Sequence, residues 1–191
     1  MTEETIQNLN TVLKENICTL KKASYDTSNG CAMCNSNLKV VNFDKIPNIY
    51  SKGKGWRSVP HSNDAIYITD DYNWYFVEFK NGSIDKADIY RKIYDSIIML
   101  IELNIIPDLE FFRNHVNYIL VYNADKQLKL QKSESRDNIY LSVLAKARME
   151  DILFGIDKFQ GYLFKDVHTF TKEIFLEKFV LPMEKRENIA G

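Results

Sequence analysis

The chain has 191 residues, of which 45% are hydrophobic and 13% are aromatic. This length and composition predict a single domain over residues 1–191 with a substantial core, and they exclude an intrinsically disordered chain. Because the formal net charge is only −1, any phosphate-binding surface must be a local patch.

The pattern of apolar residues and cysteines predicts a cytoplasmic protein with no membrane association. No apolar run reaches the ~18 residues that a membrane-spanning helix needs. The first residues, Met1-Thr-Glu-Glu-Thr, are acidic and unlike a signal peptide. The three cysteines form an odd count, which favours a reducing compartment.

Apolar residues at helical spacing predict a first helix from Thr5 to Lys22, with Thr2 as its N-cap. Glu15 is the acid on this helix that lies far enough along it to reach a central site. The simpler interpretation of Glu15 is a residue on the solvated face of the helix. The stripe consists of Ile6, Leu9, Val12, Leu13, Ile17 and Leu20.

The next segment is polar and turn-like, and it contains Cys31-Ala-Met-Cys34. The spacing suits a zinc knuckle, but a structural zinc site requires four ligands. A redox pair and two inert thiols are the other interpretations. A small zinc-binding adaptor built on this pair is therefore a remote functional alternative.

The segment from 38 to 43 predicts a strand, followed by a flexible basic connection. Lys52, Lys54 and Arg57 surround Trp56, and basic residues interleaved with an aromatic suit contact with a nucleic-acid backbone. A solvated loop with one anchoring tryptophan would explain the pattern equally well.

The run Trp74-Tyr-Phe-Val-Glu-Phe-Lys80 predicts a buried strand. Glu78 and Lys80 are two residues apart, so both side chains lie on one face of the strand. Burying two ionisable groups costs several kcal/mol unless each has a partner. This strand is therefore a candidate active-site element, and a structural ion pair is the alternative.

A second strand runs from Asp64 to Thr69, and the turn-rich residues 70–73 predict a hairpin between the two strands. If Ile68 pairs with Trp74, Asp64 lies opposite Glu78. If Ile68 pairs with Phe76 instead, Asp64 lies opposite Lys80. A slip of one residue would turn Asp64 to the wrong face.

After a break at residues 81–83, a strongly apolar helix is predicted, capped by Ser83 or Asp85 and ended by Pro107. Its first turns carry three basic residues. The strand Val116–Tyr122 follows, so the order predicts a βαβ unit with parallel strands. The basic residues are Lys86, Arg91 and Lys92.

The C-terminal third predicts an extension made mainly of helix. We expect an exposed loop over 123–136, a helix over 139–159 and a short strand over 161–164. An amphipathic helix over 171–179 and a frayed tail over 185–191 complete this prediction.

The order helix, strand, strand, strand, helix, strand, with Asp64 opening the second strand and Glu78-x-Lys80 closing the third, resembles the PD-(D/E)XK nuclease superfamily. The resemblance covers roughly residues 5–123 and leaves 124–191 as a C-terminal extension packed on the core. It implies an α/β fold with a restriction-endonuclease-like αβββαβ core, in which a mixed central sheet is flanked by helices.

The resemblance also implies a set of site residues. Asp64, Glu78 and Lys80 match the two acids and the lysine of the family motif. The acids, with the main-chain carbonyl of Phe79, would hold Mg²⁺ or Mn²⁺. Lys80 would orient or deprotonate the attacking water. Four basic residues would contact nucleic acid: Lys86, Arg91, Lys54 and Arg57.

These features favour a metal-dependent nuclease acting on nucleic acid, with DNA as the preferred substrate, in phage defence, mobile-element biology or repair. The alternative is a catalytically inactive protein of the same fold that serves as a binding or immunity-type module and contacts another protein. The content of 11 tyrosines and 11 phenylalanines is compatible with that second interpretation.

Overall fold

The structure is a computed structural model that describes residues 1–130 and 152–190. Its described strands form one six-stranded sheet and one separate two-stranded hairpin. In chain order the strands are β1 Ile17–Thr19, β2 Tyr25–Asp26, β3 Cys31–Ala32, β4 Lys39–Asn42, β5 Ala65–Ile68, β6 Trp74–Lys80, β7 Val116–Tyr122 and β8 Asp166–Thr171. The large sheet has the order β1-β4-β5-β6-β7-β8, and β2 pairs with β3.

Helices cover both faces of this sheet. In chain order they are α1 Glu3–Gln7, α2 Thr11–Lys14, α3 Leu20–Ala23, α4 Ile46–Lys54, α5 Lys86–Glu102, α6 Leu109–His115, α7 Ala124–Leu130, α8 Lys172–Phe175 and α9 Leu181–Ala190. A π-helical turn at Leu176–Val180 joins α8 to α9, and 3₁₀ turns lie at Phe43–Lys45 and Asp157–Phe159.

Strands β5 and β6 form the predicted antiparallel hairpin, and Ile68 pairs with Trp74. This is the register that places Asp64 opposite Glu78, so the first of the two predicted pairings is confirmed. Tyr72, inside the five-residue connection 69–73, has φ of 57°, in the left-handed region that side chains other than glycine seldom adopt. The odd loop length is what keeps the two carboxyl-bearing residues on one face.

The unit β6-α5-β7 is also confirmed, because β6 and β7 pair in parallel. Asp85 caps α5 by accepting a hydrogen bond from the backbone N–H of Ala87 at 2.9 Å. The helix buries Ile89, Ile93 and Leu100 among others, so its apolar face holds it on the sheet. It ends at Glu102, before the predicted stop.

The C-terminal helical segment covers the other face of the sheet. Phe179 packs edge-on against Tyr67 and Tyr75, with ring centroids 5.6 and 5.1 Å away, and Phe175 packs against Phe79 in the same way. Because Phe79 alternates with its two charged neighbours on β6, the segment lies opposite the face that carries them.

The predicted long N-terminal helix is wrong. The segment from 5 to 22 divides into the end of α1, α2, β1 and most of α3. Asn10 caps α2 by accepting a hydrogen bond from Val12 N–H at 2.9 Å, which starts a new helix and interrupts the first. The β-branched Ile17 and Thr19 then favour an edge strand that pairs with β4. The predicted cap at Thr2 is confirmed.

The basic connection after β4 is not a flexible loop throughout, because residues 46–54 form α4. Pro47 lies at the start of this helix, where its missing N–H costs nothing. Gly55 follows it with φ of 68°, the left-handed conformation that ends many helices.

The C-terminal predictions are partly wrong. The last strand is β8 rather than 161–164, and it extends the sheet by pairing in parallel with β7. Residues 124–130 are helical, and 152–156 are not. The helix predicted over 171–179 begins one residue later, and helical structure continues to Ala190, so residues 185–190 are not frayed. Residues 139–151 of the other predicted helix lie outside the described residues.

The architecture is thus an α/β fold with a mixed six-stranded sheet between helices, as predicted at that level. Within residues 1–130 and 152–190, no helix combines the length and the hydropathy that crossing a bilayer requires.

Candidate functional site

Charged side chains from β5, β6 and α5 meet at the end of the sheet where β6 stops. We call them the acid–lysine cluster. Asp64 directly precedes β5, two members lie on the last three residues of β6, and two lie on α5. The cluster consists of Asp64, Glu78, Lys80, Asp88 and Lys92.

Lys92 joins the two acids that the sequence singled out. Its ammonium Nζ lies 2.6 Å from Glu78 Oε1 and 3.3 Å from Asp64 Oδ1. The other oxygen of Asp64 accepts a hydrogen bond from the backbone N–H of Phe79 at 2.6 Å. Asp64 and Glu78 therefore lie on the same side of the sheet and converge on one cation.

Lys80 forms the outer half of the cluster. Its Nζ lies 3.2 Å from Glu78 Oε1 and 2.7 Å from Asp88 Oδ2. The other carboxylate oxygen of Asp88, Oδ1, lies 3.8 Å from His61 Nδ1 and 3.8 Å from a guanidinium nitrogen of Arg91. Glu78 is thus held between two ammonium groups, and Asp88 connects the cluster to the exposed rim.

The sequence of α5 explains how the helix reaches these strands. Asp88 and Lys92 are four residues apart, so they lie on one side of the helix. Ser96, one turn further, accepts hydrogen bonds from the backbone and side-chain N–H groups of Asn63 at 3.0 and 3.1 Å. Asp88, Lys92 and Ser96 thus form a polar row along α5, and Ser96 in this row fixes Asn63, the residue directly before Asp64.

Burial sets the electrostatics of the cluster. Glu78 is 0% exposed, and its Oε2 has no hydrogen-bond partner within the described part of the chain. Burial raises the pKa of Glu78, and the adjacent Asp64 raises it further, against the two lysines. Burial opposes the charge on Lys92, but the two acids outweigh it and raise the pKa of this lysine.

The cluster reaches solvent through Asp64. A cavity of about 210 Å³ is lined by Asp64, Phe79, Asn81 and, from the turn after β4, Asp44. Partial burial and the nearby Asp64 raise the pKa of Asp44 to about 6. Tyr25 of the β2–β3 hairpin forms part of the opposite wall. A ligand in this cavity would meet carboxylates first and lysines behind them.

Sequence reasoning missed Asp44, Asp88 and the role of Lys92. The spacing of Lys92 on its helix could have indicated that this residue is buried. It lies three residues after Ile89 and four before Ser96, and because both are fully buried, Lys92 falls inside the buried stripe of α5. A lysine inside such a stripe requires an acidic partner. Nothing in the local sequence placed Asp44 near the site.

The predicted nucleic-acid contacts on α5 lie at the edge of the cluster. Arg91 has a side chain that is 55% exposed, beside Asp88. Lys86 is exposed and points toward the backbone near Gly155. The role of both residues in binding nucleic acid stays a prediction.

The other predicted site residues lie apart from these contacts. Lys54 pairs with Glu102 at 2.7 Å, near the far end of α5. Glu102 is ten residues beyond Lys92, roughly 15 Å along the helix. Arg57 is exposed in the following connection, and Glu15 is an exposed residue at the end of α2.

The Cys31–Cys34 pair has no metal-site features. All three cysteines are free, and Cys31 Sγ accepts a weak hydrogen bond from Asn81 at 3.6 Å. Across residues 1–130 and 152–190, no group of three or more His, Cys, Asp and Glu side chains is arranged to hold a metal ion. A divalent ion at the acid–lysine cluster would therefore depend on two carboxylates with main-chain, water or substrate oxygens.

Comparison with known proteins returned no matching family, no matching curated protein and no matching solved structure.

Proposed function

We propose that the chain is a metal-dependent nuclease that hydrolyses phosphodiester bonds in nucleic acid, with DNA as the preferred substrate and Mg²⁺ or Mn²⁺ as the cofactor. One observation carries the proposal: Asp64 and Glu78, from neighbouring strands, converge on a single cation, the ammonium of Lys92. Two acids in a buried strand pair with no role would be a costly arrangement.

The residues present fit a divalent ion. Glu78 Oε2 is an orphaned buried oxygen among the described residues. Asp64 and Glu78 would hold the ion, with the carbonyl of Phe79 as a further ligand. Mg²⁺ supplies a bound water of lowered pKa and polarises a phosphoryl oxygen.

The lysines would act on the substrate. Lys80 lies beside Glu78 with its side chain 17% exposed, so it can orient the attacking water and offset charge that develops on the phosphate. Lys92, which lies beside both acids, would contact a phosphate oxygen of the substrate. Arg91 at the rim would hold the neighbouring phosphate.

The test compares cleavage by the wild type with that by Lys80→Ala and Glu78→Gln, using single-stranded and duplex DNA and RNA with Mg²⁺, Mn²⁺ or EDTA. Lys165→Ala is the matched control, because Lys165 is an exposed lysine at the start of β8, away from the cluster. We expect metal-dependent cleavage by the wild type and control, and a loss of at least about 100-fold in both site variants.

The second candidate is a catalytically inactive protein that binds a partner. It is favoured by the same lysine, because Lys92 already satisfies both acids and Glu78 is fully buried. Intact substrates under every metal, together with no metal-induced rise in Tm for the wild type or Lys92→Met, would refute the nuclease and leave this candidate. A rise in Tm of Lys92→Met with Mg²⁺ would show that the acids can hold the ion.

A further inference from the structure

A second cavity lies at the opposite end of β6 from the acid–lysine cluster. It has a volume of about 320 Å³, at the lower end of the range for small-molecule sites. Residues of α1 and α2, the β5–β6 turn, Ile105 and α6 enclose it. Trp74, at the start of β6, lines the cavity and is four residues from Glu78, which is roughly 13 Å along the strand.

We propose that this cavity binds a small amphipathic organic cation, an amine carried on an aromatic or short apolar group. We call it the amine cavity. The proposal is independent of the nuclease activity, because none of the five cluster residues lines it.

The apolar part of the wall is aromatic. Trp74 is 6% exposed and packs edge-on against Phe111, with ring centroids 5.9 Å apart. Tyr72, 61% exposed, lines the cavity with the left-handed backbone noted above. Aromatic faces attract cations as well as apolar groups, most strongly in tryptophan. Aliphatic side chains complete this surface: Leu9, Leu13, Ile68 and Ile105.

The charged part of the wall is negative. Glu4 and Asp70 line the cavity, and among the described residues that line it there is no lysine or arginine. Hydroxyl groups of Thr2 and Thr5 donate to Asp70 and lower its pKa, so this carboxylate stays ionised at neutral pH. The nearby Arg186 pairs with Asp71 at 3.0 Å, outside the lining. An anionic ligand would therefore be repelled and an amine attracted.

The polar atoms of the wall add directionality. Asn8 and Asn10 line the cavity, and the indole N–H of Trp74 has no acceptor among the described residues. An ammonium group has no acceptor, so the acceptor for this indole N–H would be a water bound together with the ligand. A neutral hydrocarbon would bring neither the charge nor the bound water, so the chemistry of the wall selects an amphipathic ligand.

The test uses intrinsic fluorescence. The chain has two tryptophans, and Trp56→Phe removes the exposed one, so that emission then reports on Trp74 alone. This full-length variant is titrated with 2-phenylethylamine, 2-phenylethanol and phenylacetate, which share a ring and a chain length and differ in charge. We expect saturable binding of the amine, with a Kd at least tenfold below those of the alcohol and the carboxylate.

Two further variants assign the binding to this cavity. Glu4→Gln should weaken binding of the amine several-fold and leave the alcohol unchanged, whereas Glu3→Gln, on the same helix but outside the lining, should change neither. Leu9→Phe should reduce binding of all three probes by filling the space. Equal affinity for the three probes, or no saturable signal from any of them, would overturn the proposal.

Discussion

Replacing Lys92 with methionine removes the charge between two acids while keeping a side chain of similar length. The Lys92 ammonium lies 2.6 Å from Glu78, which is 0% exposed. At an effective dielectric constant of about 20, a pair at this distance attracts by about 6 kcal/mol. Desolvation offsets part of that attraction, and breaking a buried pair typically costs 3–5 kcal/mol. Because Lys80 remains 3.2 Å from Glu78, we expect a loss of about 3 kcal/mol at pH 9, where Glu78 is mostly ionised in the wild type.

The loss should depend on pH in a definite direction. Burial already raises the pKa of Glu78 and of Asp64, and without Lys92 both pKa values rise further. A carboxyl group whose pKa is higher in the folded than in the unfolded state favours folding at low pH, and this contribution is lost as the pH rises through the folded pKa. Because burial raises the pKa of Glu78 to about 8, the difference between wild type and Lys92→Met should be small near pH 5 and should grow as the pH rises through 8 to 9.

Urea denaturation followed by circular dichroism at both pH values measures these free energies of unfolding. Lys165→Met is the matched control and should change stability by less than about 0.5 kcal/mol. A double-mutant cycle with Glu78→Gln should show a coupling energy above about 1 kcal/mol. An equal loss at pH 5 and pH 9, or no coupling, would refute the view that Lys92 acts as the counter-ion of these acids.

Two other predictions concern the cysteines and the C-terminal helices. Cys31 is exposed, whereas Cys34 is buried, and burial raises the pKa of Cys34 to about 11. At pH 8 a thiol reagent should therefore modify Cys31 at least 100-fold faster than Cys34, as measured by mass spectrometry. Equal rates would contradict the burial of Cys34. Phe179→Ala should lower the free energy of unfolding by about 3–5 kcal/mol, because Phe179 packs on the sheet and is only 3% exposed. Ile189→Ala, at a side chain that is 77% exposed, should lower it by less than about 0.5 kcal/mol, and urea denaturation measures both. Similar costs for the two variants would show that this segment is not part of the core.

The middle of the chain was predictable because its local signals agree. The hydrophobic run of β6, the turn before it and the Asp85 cap each indicate the same hairpin and helix. The sequence singled out Asp64 and Glu78 but left two registers of the hairpin open. The structure shows the register in which Ile68 pairs with Trp74, which places Asp64 opposite Glu78.

The parts that sequence reasoning missed depend on contacts remote in sequence or on competing local signals. Strand β8 follows a turn that contains Gly161, and its partner β7 lies more than 40 residues earlier. The N-terminal stripe of apolar residues has helical spacing, but Asn10 starts a separate helix and Ile17 joins the sheet as an edge strand. Asp44 enters the site because β4 pairs with β5, which no local pattern records.

The turn at residues 69–73 contacts both the N-terminal segment and the C-terminal helix α9, and it belongs to the β5–β6 hairpin that positions the site. Asp70 accepts hydrogen bonds from two threonines of the N-terminal segment, and Asp71 pairs with Arg186 of α9. A turn held from both sides cannot easily lose or gain a residue in its pairing, and a shift of one residue would move Asp64 away from Glu78. The terminal helices thus stabilise the register on which the acid–lysine cluster depends, although they lie at the far end of β6. The same turn also supplies part of the wall of the amine cavity, so a ligand bound there would stabilise the register that brings the two acids together.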